Sequence, residues 1–306
     1  MQRIEESELI LNPDGSIYHL NLLPEDIADT IITVGDPDRV AQVSKYFDSI
    51  ELKKQKRELI THTGYVGKQR ITVLSTGMST GNIDIVFNEL DALANIDFKQ
   101  RTINPHLKSL DIIRIGTAGG LQPNIPLDSF VISTYGIGLD GLGSFYQMQN
   151  DLAESTLRQS FLKYFANDPA TMNTYVARGS DKLINLFATE GIPGITVTCS
   201  GFYGPQGRIL RAQPMIEHFI PKLQNFVWQE QAIANFEMET AGIYALGNIL
   251  GHHCCSLSAI VANRCTQEFS TQPKEAVENL ITLVLEKVSA GGIDQNQADL
   301  AKIAIL

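Results

Sequence analysis

Positive charge, cysteine and long apolar runs are all scarce in this 306-residue chain, and each scarcity argues against a class of function. The formal net charge is −10 at neutral pH, whereas non-specific nucleic-acid binding needs a basic face to displace counterions from phosphates. Any anion must therefore be held locally. The only four cysteines, Cys199, Cys254, Cys255 and Cys265, lie in apolar or mixed strand-like runs without CxxC spacing. That pattern argues against a disulfide framework or zinc site and predicts buried free thiols in a reducing cytoplasm. No apolar run reaches the roughly 18 residues of a membrane span. Residues 1–8 are polar and acidic rather than basic then apolar, so no export signal is expected. Repeats, low-complexity tracts and linkers are also missing, and 43% hydrophobic residues suffice for a full core. One α/β domain over residues 1–306 is the expectation.

What is present has a legible order. Residues 10–20 centre on Asn12-Pro13-Asp14-Gly15, turn chemistry that predicts a small N-terminal hairpin (about 7–20) appended to the main body. From Ile31 the pattern becomes α/β: a strand at 31–34, a helix from Pro37, and a strand pair turning between Gly64 and Lys68. A strand at 71–74 runs into Gly77 and a helix whose Ile83, Val86, Phe87, Leu90, Leu93 and Ala94 recur at helical spacing, so that face is core. Residues 97–109 are polar and broken by Asn104-Pro105, an inserted loop before a buried strand at 112–115. Further strands are expected at 130–134, 174–177, 195–199 and 257–262, and helices near 151–165, 181–189, 238–250 and 274–288. The mixture predicts a central mixed sheet flanked by helices, with functional loops leaving strand ends.

Four segments carry chemistry. Gly35-Asp36-Pro37-Asp38-Arg39 follows a strand, so Asp36 can cap a helix beginning at Pro37, leaving amides and the Arg39 guanidinium to attract an anion. The plain alternative is a strand-to-helix turn with a solvated arginine. Arg114 ends a run of branched aliphatics, where an unpaired charge is costly; its partner is a phosphate bound through two parallel hydrogen bonds, or else an internal carboxylate. Thr117 adds a hydroxyl and an amide in a Gly116-to-Gly120 turn whose glycines admit a ligand close to the backbone.

Glu237 and Glu239 flank Met238 and point differently, so only one need face a ligand; Glu239 is the choice for a vicinal diol. Read alone, the pair also fits a surface helix start whose acids complement the macrodipole. In Phe202-Tyr203-Gly204-Pro205-Gln206-Gly207-Arg208, Gln206 both donates and accepts, matching a pyrimidine edge, Arg208 suits a carbonyl gathering negative charge, and Phe202 can cover the base. That segment by itself also reads as a simple turn.

Taken together, residues 17–20, 35–40, 75–77, 114–117, 202–208, 237–239 and Asn263-Arg264 resemble the nucleoside phosphorylase superfamily, its uridine phosphorylases in particular. The resemblance covers residues 16–287. It implies a three-layer α/β/α fold with a mixed, distorted central sheet or barrel. It also implies that Gly35, Arg39, Arg114 and Thr117 bind phosphate, with Arg57 of a neighbouring subunit completing the shell. Gln206 and Arg208 would hold uracil, Phe202 would pack on it, Met238 and Glu239 would hold ribose, and a neighbour's His19 would reach the 5′-hydroxyl. Arg114, Arg208 and Gln206 would be the catalytic residues of uridine phosphorolysis in a homo-oligomer sharing its sites across a two-fold axis. Phosphate is then a co-substrate, and no metal or organic cofactor is required. The chain departs from many relatives in having Met78-Ser79-Thr80-Gly81-Asn82 where they carry a Gly-Gly-Pro-Ser or Gly-x-Pro-Ser run. The alternatives are a nucleosidase, in which water replaces phosphate, and a non-catalytic nucleoside sensor. The trio Arg39, Arg57 and Arg114 disfavours the nucleosidase, since water needs no cationic nest.

Overall fold

The computed structural model describes residues 2–166 and 168–291; residues 1 and 292–306, the two ends of the expected domain, lie outside them. The described chain runs β1 (Thr30–Val34), α1 (Pro37–Ser44), β2 (Ser49–Lys56), β3 (Leu59–Val66), β4 (Gln69–Ser75) and α2 (Thr80–Asn95). A small hairpin, β5 (Ile96–Asp97) and β6 (Thr102–Ile103), leads to β7 (Asp111–Gly120), β8 (Phe130–Gly138), α3 (Leu152–Tyr164), β9 (Tyr175–Arg178) and α4 (Asp181–Leu186). The last part holds β10 (Ile192–Thr198), α5 (Phe219–Asn225), β11 (Val227–Trp228), β12 (Gln231–Glu237), α6 (Thr240–Leu250), β13 (His253–Asn263), β14 (Glu268–Phe269) and α7 (Pro273–Ser289).

One large sheet in the order β11-β12-β10-β8-β13-β7-β1-β4-β3-β2 forms the frame, with β14 on β13 and β9 on β8. Its middle closes on itself, because β12 also pairs with β7 through Asn235–Gly120 and Phe236–Gly119. The strands β7, β13, β8, β10 and β12 thus make a mixed barrel, and β1, β4, β3 and β2 extend from it as an open wing. Strand alternation divides the layers. Ile31, Ile112 and Cys254 face a core made with α2 and α6, where Phe87, Leu90 and Tyr244 are buried. Their sequence neighbours Ile32, Ile113 and Cys255 face the opposite core, made with α1, α4 and α7. A third core, with Phe161, Phe226 and Trp228, packs α3 and α5 on the barrel. Each fully buried Leu, Val or Phe contributes about 1.5–3 kcal/mol, which holds these layers together.

Four expectations need correction. The N-terminal segment is no appended hairpin: it forms a single bridge, Leu11 to Ile17, and its Leu9, Ile17, Leu20 and Leu22 are buried against α2. Apolar side chains outside the polar turn supply that anchor. The 97–109 insertion is not a plain loop either, since β5 pairs with β6 and Arg101, at its turn, donates to the carbonyls of Ile4 and Glu5 at 3.0 Å each. The strand pair turning between Gly64 and Lys68 is joined by a third strand, since β2 pairs with β3. Finally, Gly116 to Gly120 is not a turn but the end of β7, held in register by β13. Of the four cysteines, Cys199, Cys254 and Cys255 are buried and Cys265 is exposed; all are free thiols.

Candidate functional site

The site forms where β1, β7, β10 and β12 deliver polar residues from their C-terminal parts. After β1 the chain turns at Gly35, and Asp36 caps α1 by accepting from the Asp38 amide at 3.0 Å, with Pro37 as the first helical residue. This cap aims Arg39 across to β7, where its Nη1 donates to the Ile115 carbonyl at 3.4 Å. Burial pushes the Arg39 pKa down, Asp36 opposes that, and the field of Arg114 adds to it. The two guanidiniums are thus close enough to disfavour each other's charge, a repulsion that a nearby anion would relieve.

Arg114 lies in the middle of β7, flanked in register by Thr33 of β1 and Ser256 of β13. Its Nη2 is 2.6 Å from Glu239 Oε2 and 3.2 Å from Glu237 Oε2, while Nη1 has only longer contacts to Ser258 (3.3 Å) and Ser256 (3.5 Å). Burial disfavours its charge, but the two carboxylates outweigh this and raise its pKa. The internal carboxylate partner weighed against a phosphate is thus present, as two glutamates. It engages one edge of the guanidinium and leaves the other with weak partners.

Gly116 is what allows this posture. Residues two apart on a strand share a face, and a Cβ at position 116 would stand 2.0 Å from Arg114 Nη1. The glycine makes room for the arginine itself. Thr117, next on β7, is half-buried, and its hydroxyl has no hydrogen-bond partner among the described residues.

Both glutamates of the Glu237-Met238-Glu239 run face Arg114, contrary to the expectation that only one would face inward. The β-strand ends at Glu237, and α6 begins at Thr240, so the backbone turns between them and brings the two carboxylates to one point. The helix-start reading is right about capping, because Glu237 Oε2 accepts from the amides of Glu239 and Thr240 at 2.9 Å each. It is wrong about the surface: the two residues are 4% and 5% exposed. The pKa of Glu237 is raised by burial and by Glu239, with Arg114 opposing. Met238 between them is half-buried. Glu239 Oε1 also accepts from the Ser79 amide at 2.7 Å. Ser79, Thr198 and Glu237 were not picked as site residues. The signal for Ser79 was its place in the 78–82 run, which departs from the pattern the resemblance implies.

The base-reading segment folds as a short 3-10 turn, Gly204–Gln206, ended by Gly207 at φ 64°. Gln206 is buried, and its Oε1 accepts from Arg208 Nη1 at 2.5 Å. The Arg208 guanidinium lies 3.7 Å from the Phe202 ring centroid, so the arginine stacks on that ring. Arg264 donates to the Gln206 carbonyl at 3.2 Å, and its charge helps burial lower the Arg208 pKa. Buried Cys199 links the two halves: burial raises its pKa, Glu237 adds to this, and Arg208 opposes it.

His19 and Arg57 stand apart. His19 Nδ1 lies 2.7 Å from Glu89 on α2, and the His19 and Leu20 amides donate to the same carboxylate. Arg57 is exposed at the β2–β3 turn with φ 56°. Among the described residues, neither hydrogen-bonds to another candidate site residue.

Comparison with known proteins follows this geometry. Residues 29–289 match the phosphorylase superfamily. The chain is 27% identical over 272 residues to a uridine phosphorylase of Thermococcus kodakarensis, covering 88% of this chain and 85% of the relative. It is 25% identical over 281 residues to the uridine phosphorylase of Haemophilus influenzae, covering 90% and 98%. A Trypanosoma brucei nucleoside phosphorylase, described as having uridine phosphorylase activity, superposes with a TM-score of 0.84 at 24% identity, over 92% of this chain and all of that one. With its closed mixed barrel and the family's match across nearly its whole described length, the chain belongs to the phosphorylase superfamily.

Proposed function

We propose that this protein catalyses phosphorolysis of a pyrimidine nucleoside: uridine and inorganic phosphate give uracil and ribose 1-phosphate. One observation carries the reading. Arg114 is fastened through Nη2 to the carboxylate suited to a ribose diol, while its Nη1 edge has only long contacts. A phosphate taken there would sit beside the sugar carbon it attacks. Gly35 and Thr117 would add backbone and hydroxyl contacts, and Glu239 and Met238 would hold the ribose. As the glycosidic bond lengthens toward an oxocarbenium-like state, positioning and electrostatics supply most of the rate enhancement. The electron pair of that bond moves into the uracil carbonyls, where Arg208 stabilises it. The adjacent Arg264 supports the same charge, and Gln206 holds the base edge.

For uracil to enter, Arg208 must leave the Phe202 ring and give that face to the base. The single-chain site also lacks the contacts assigned to His19 and Arg57. We propose that a second copy supplies both across a two-fold interface, in a cytoplasmic homo-oligomer serving pyrimidine nucleoside salvage. The chain's relatives named as uridine phosphorylases support the choice of substrate.

The test is to incubate the purified protein with uridine and follow free uracil with and without phosphate or arsenate. Release that requires the anion, with inosine and adenosine much poorer, is the expected result. Equal release in phosphate-free buffer overturns the reading in favour of hydrolysis, and no release under either condition in favour of a sensor.

A further inference from the structure

Glu237 ends β12 almost wholly buried, and both of its carboxylate oxygens are engaged. Oε1 receives the Thr198 hydroxyl at 2.7 Å. Oε2 receives the amides of Glu239 and Thr240 at 2.9 Å each and stands 3.2 Å from Arg114 Nη2. Oε2 so engaged has nothing left to offer a substrate without orphaning one of these donors, and Oε1 is tied to β10. It touches β10 through Thr198, the start of α6 through Thr240, and β7 through Arg114. The residue proposed for the ribose, Glu239, is fixed at its backbone by Glu237 and at its side chain by Arg114 and Ser79.

We infer that Glu237 is a positioning residue: it locks Arg114 and Glu239 into one unit, so that phosphate and ribose are read at a fixed separation. The inference rests on the phosphorolysis reading above. Two carboxylates share one guanidinium. Glu237 holds Arg114 Nη2 from a second side and the Glu239 backbone through its amide. With the Glu237 charge removed, Glu239 becomes the sole counter-charge of Arg114, the guanidinium loses its second tether, and the acceptor for the diol shifts out of its fixed place with it.

Glu237→Gln removes the charge while keeping the shape. Its amide oxygen still accepts from the Glu239 and Thr240 amides, and its NH2 group faces the Thr198 oxygen. The expected result is a folded variant whose kcat/KM for uridine falls about tenfold, chiefly through the nucleoside KM, the scale expected when a hydrogen bond to a charged group is weakened. The 2′-deoxynucleoside, which has no vicinal diol, loses less, so the ratio of kcat/KM for uridine over 2′-deoxyuridine also falls. A purely structural role lowers both nucleosides by the same factor, and that outcome, or a ratio within twofold of wild type, overturns the inference. Should Glu237→Gln fail to fold, Glu237→Asp decides: it keeps the charge but draws the carboxylate back from Arg114, and the same ratio falls several-fold if the inference holds and stays put if it does not. A wild-type protein without phosphate-dependent uracil release overturns the functional reading, and this inference with it. An active wild type whose variants leave the ratio unmoved overturns this inference alone.

Discussion

Gly116→Ala adds a single methyl group, and the structure says where it goes. A Cβ at that position stands 2.0 Å from Arg114 Nη1, 2.5 Å from Cζ and 2.8 Å from Nη2. An ordinary carbon contact is about 3.5 Å or longer, so the guanidinium must withdraw by roughly 1.5 Å. On an open surface a long side chain would swing aside at little cost. Here Nη2 is 2.6 Å from Glu239, and the side chain is only 6% exposed. The withdrawal takes that contact out of hydrogen-bond range. Breaking a buried pair outright costs about 3–5 kcal/mol, because it leaves uncompensated charge behind; a partial relocation of Arg114 recovers some of this. For activity, a misplacement of about 1 Å in a group that aims the nucleophile costs on the order of a hundredfold.

The assay is a double-mutant cycle, with denaturant unfolding and kcat/KM for phosphate measured on Gly116→Ala, Arg114→Ala and the pair. Because Gly116 acts only by leaving room for Arg114, the methyl group adds little once the guanidinium is gone. The two losses are therefore strongly non-additive, as expected for residues in contact. Near-wild-type activity and stability in Gly116→Ala, or losses that simply add in the pair, would refute the reasoning.

Three other predictions follow from separate parts of the molecule. Ser79 has φ 80° and ψ 160°, a region costing a side chain on the order of 1–3 kcal/mol. Ser79→Gly keeps the backbone donor to Glu239 and, after the ~0.5–1 kcal/mol of extra entropy lost by glycine, should raise the denaturant midpoint; a lowered midpoint contradicts the strain. His62 and His253 have pKa values pushed below the ordinary 6.5, first by burial and then by Lys53 and Lys182 respectively. The folded state binds those protons less readily than the unfolded chain, so their stabilisation is complete above pH 6.5 and is lost as pH falls from there through the lowered folded values. The double variant His62→Gln, His253→Gln should flatten that slope, and an unchanged slope would remove both histidines from the account. Finally, a chain carrying His19→Ala and Arg57→Ala, exchanged with one carrying Gln206→Ala and Arg208→Ala, should regain about half of wild-type activity per mixed dimer, since one of its two sites is intact. Verified exchange without recovery would confine each site to its own chain.

The sequence alone determined the elements whose signal is local. Periodicity placed α2 through Ile83, Val86, Phe87 and Leu90, and each proves buried. The strand at 31–34 and the cap at Asp36 were equally legible, because an apolar run followed by Asp-Pro specifies its geometry within a few residues. The spacing of the motifs carried the family. What the sequence could not determine was anything depending on which strands meet. Strand β12 was missed because its neighbours in the sheet, β10 and β7, lie far off in the chain, and residues 231–235 alternate too weakly to declare themselves. Only its closure onto β7 brings Glu237 and Glu239 to Arg114, more than 120 residues away in sequence. The N-terminal segment looked detachable because its anchors, Ile17 and Leu20, mean little until α2 offers a face to bury them. The reason for Gly116 was invisible for the same cause: a glycine's purpose lies in what occupies the space it leaves, and here that is the guanidinium two residues before it, held over the strand by two carboxylates from the end of the neighbouring β12.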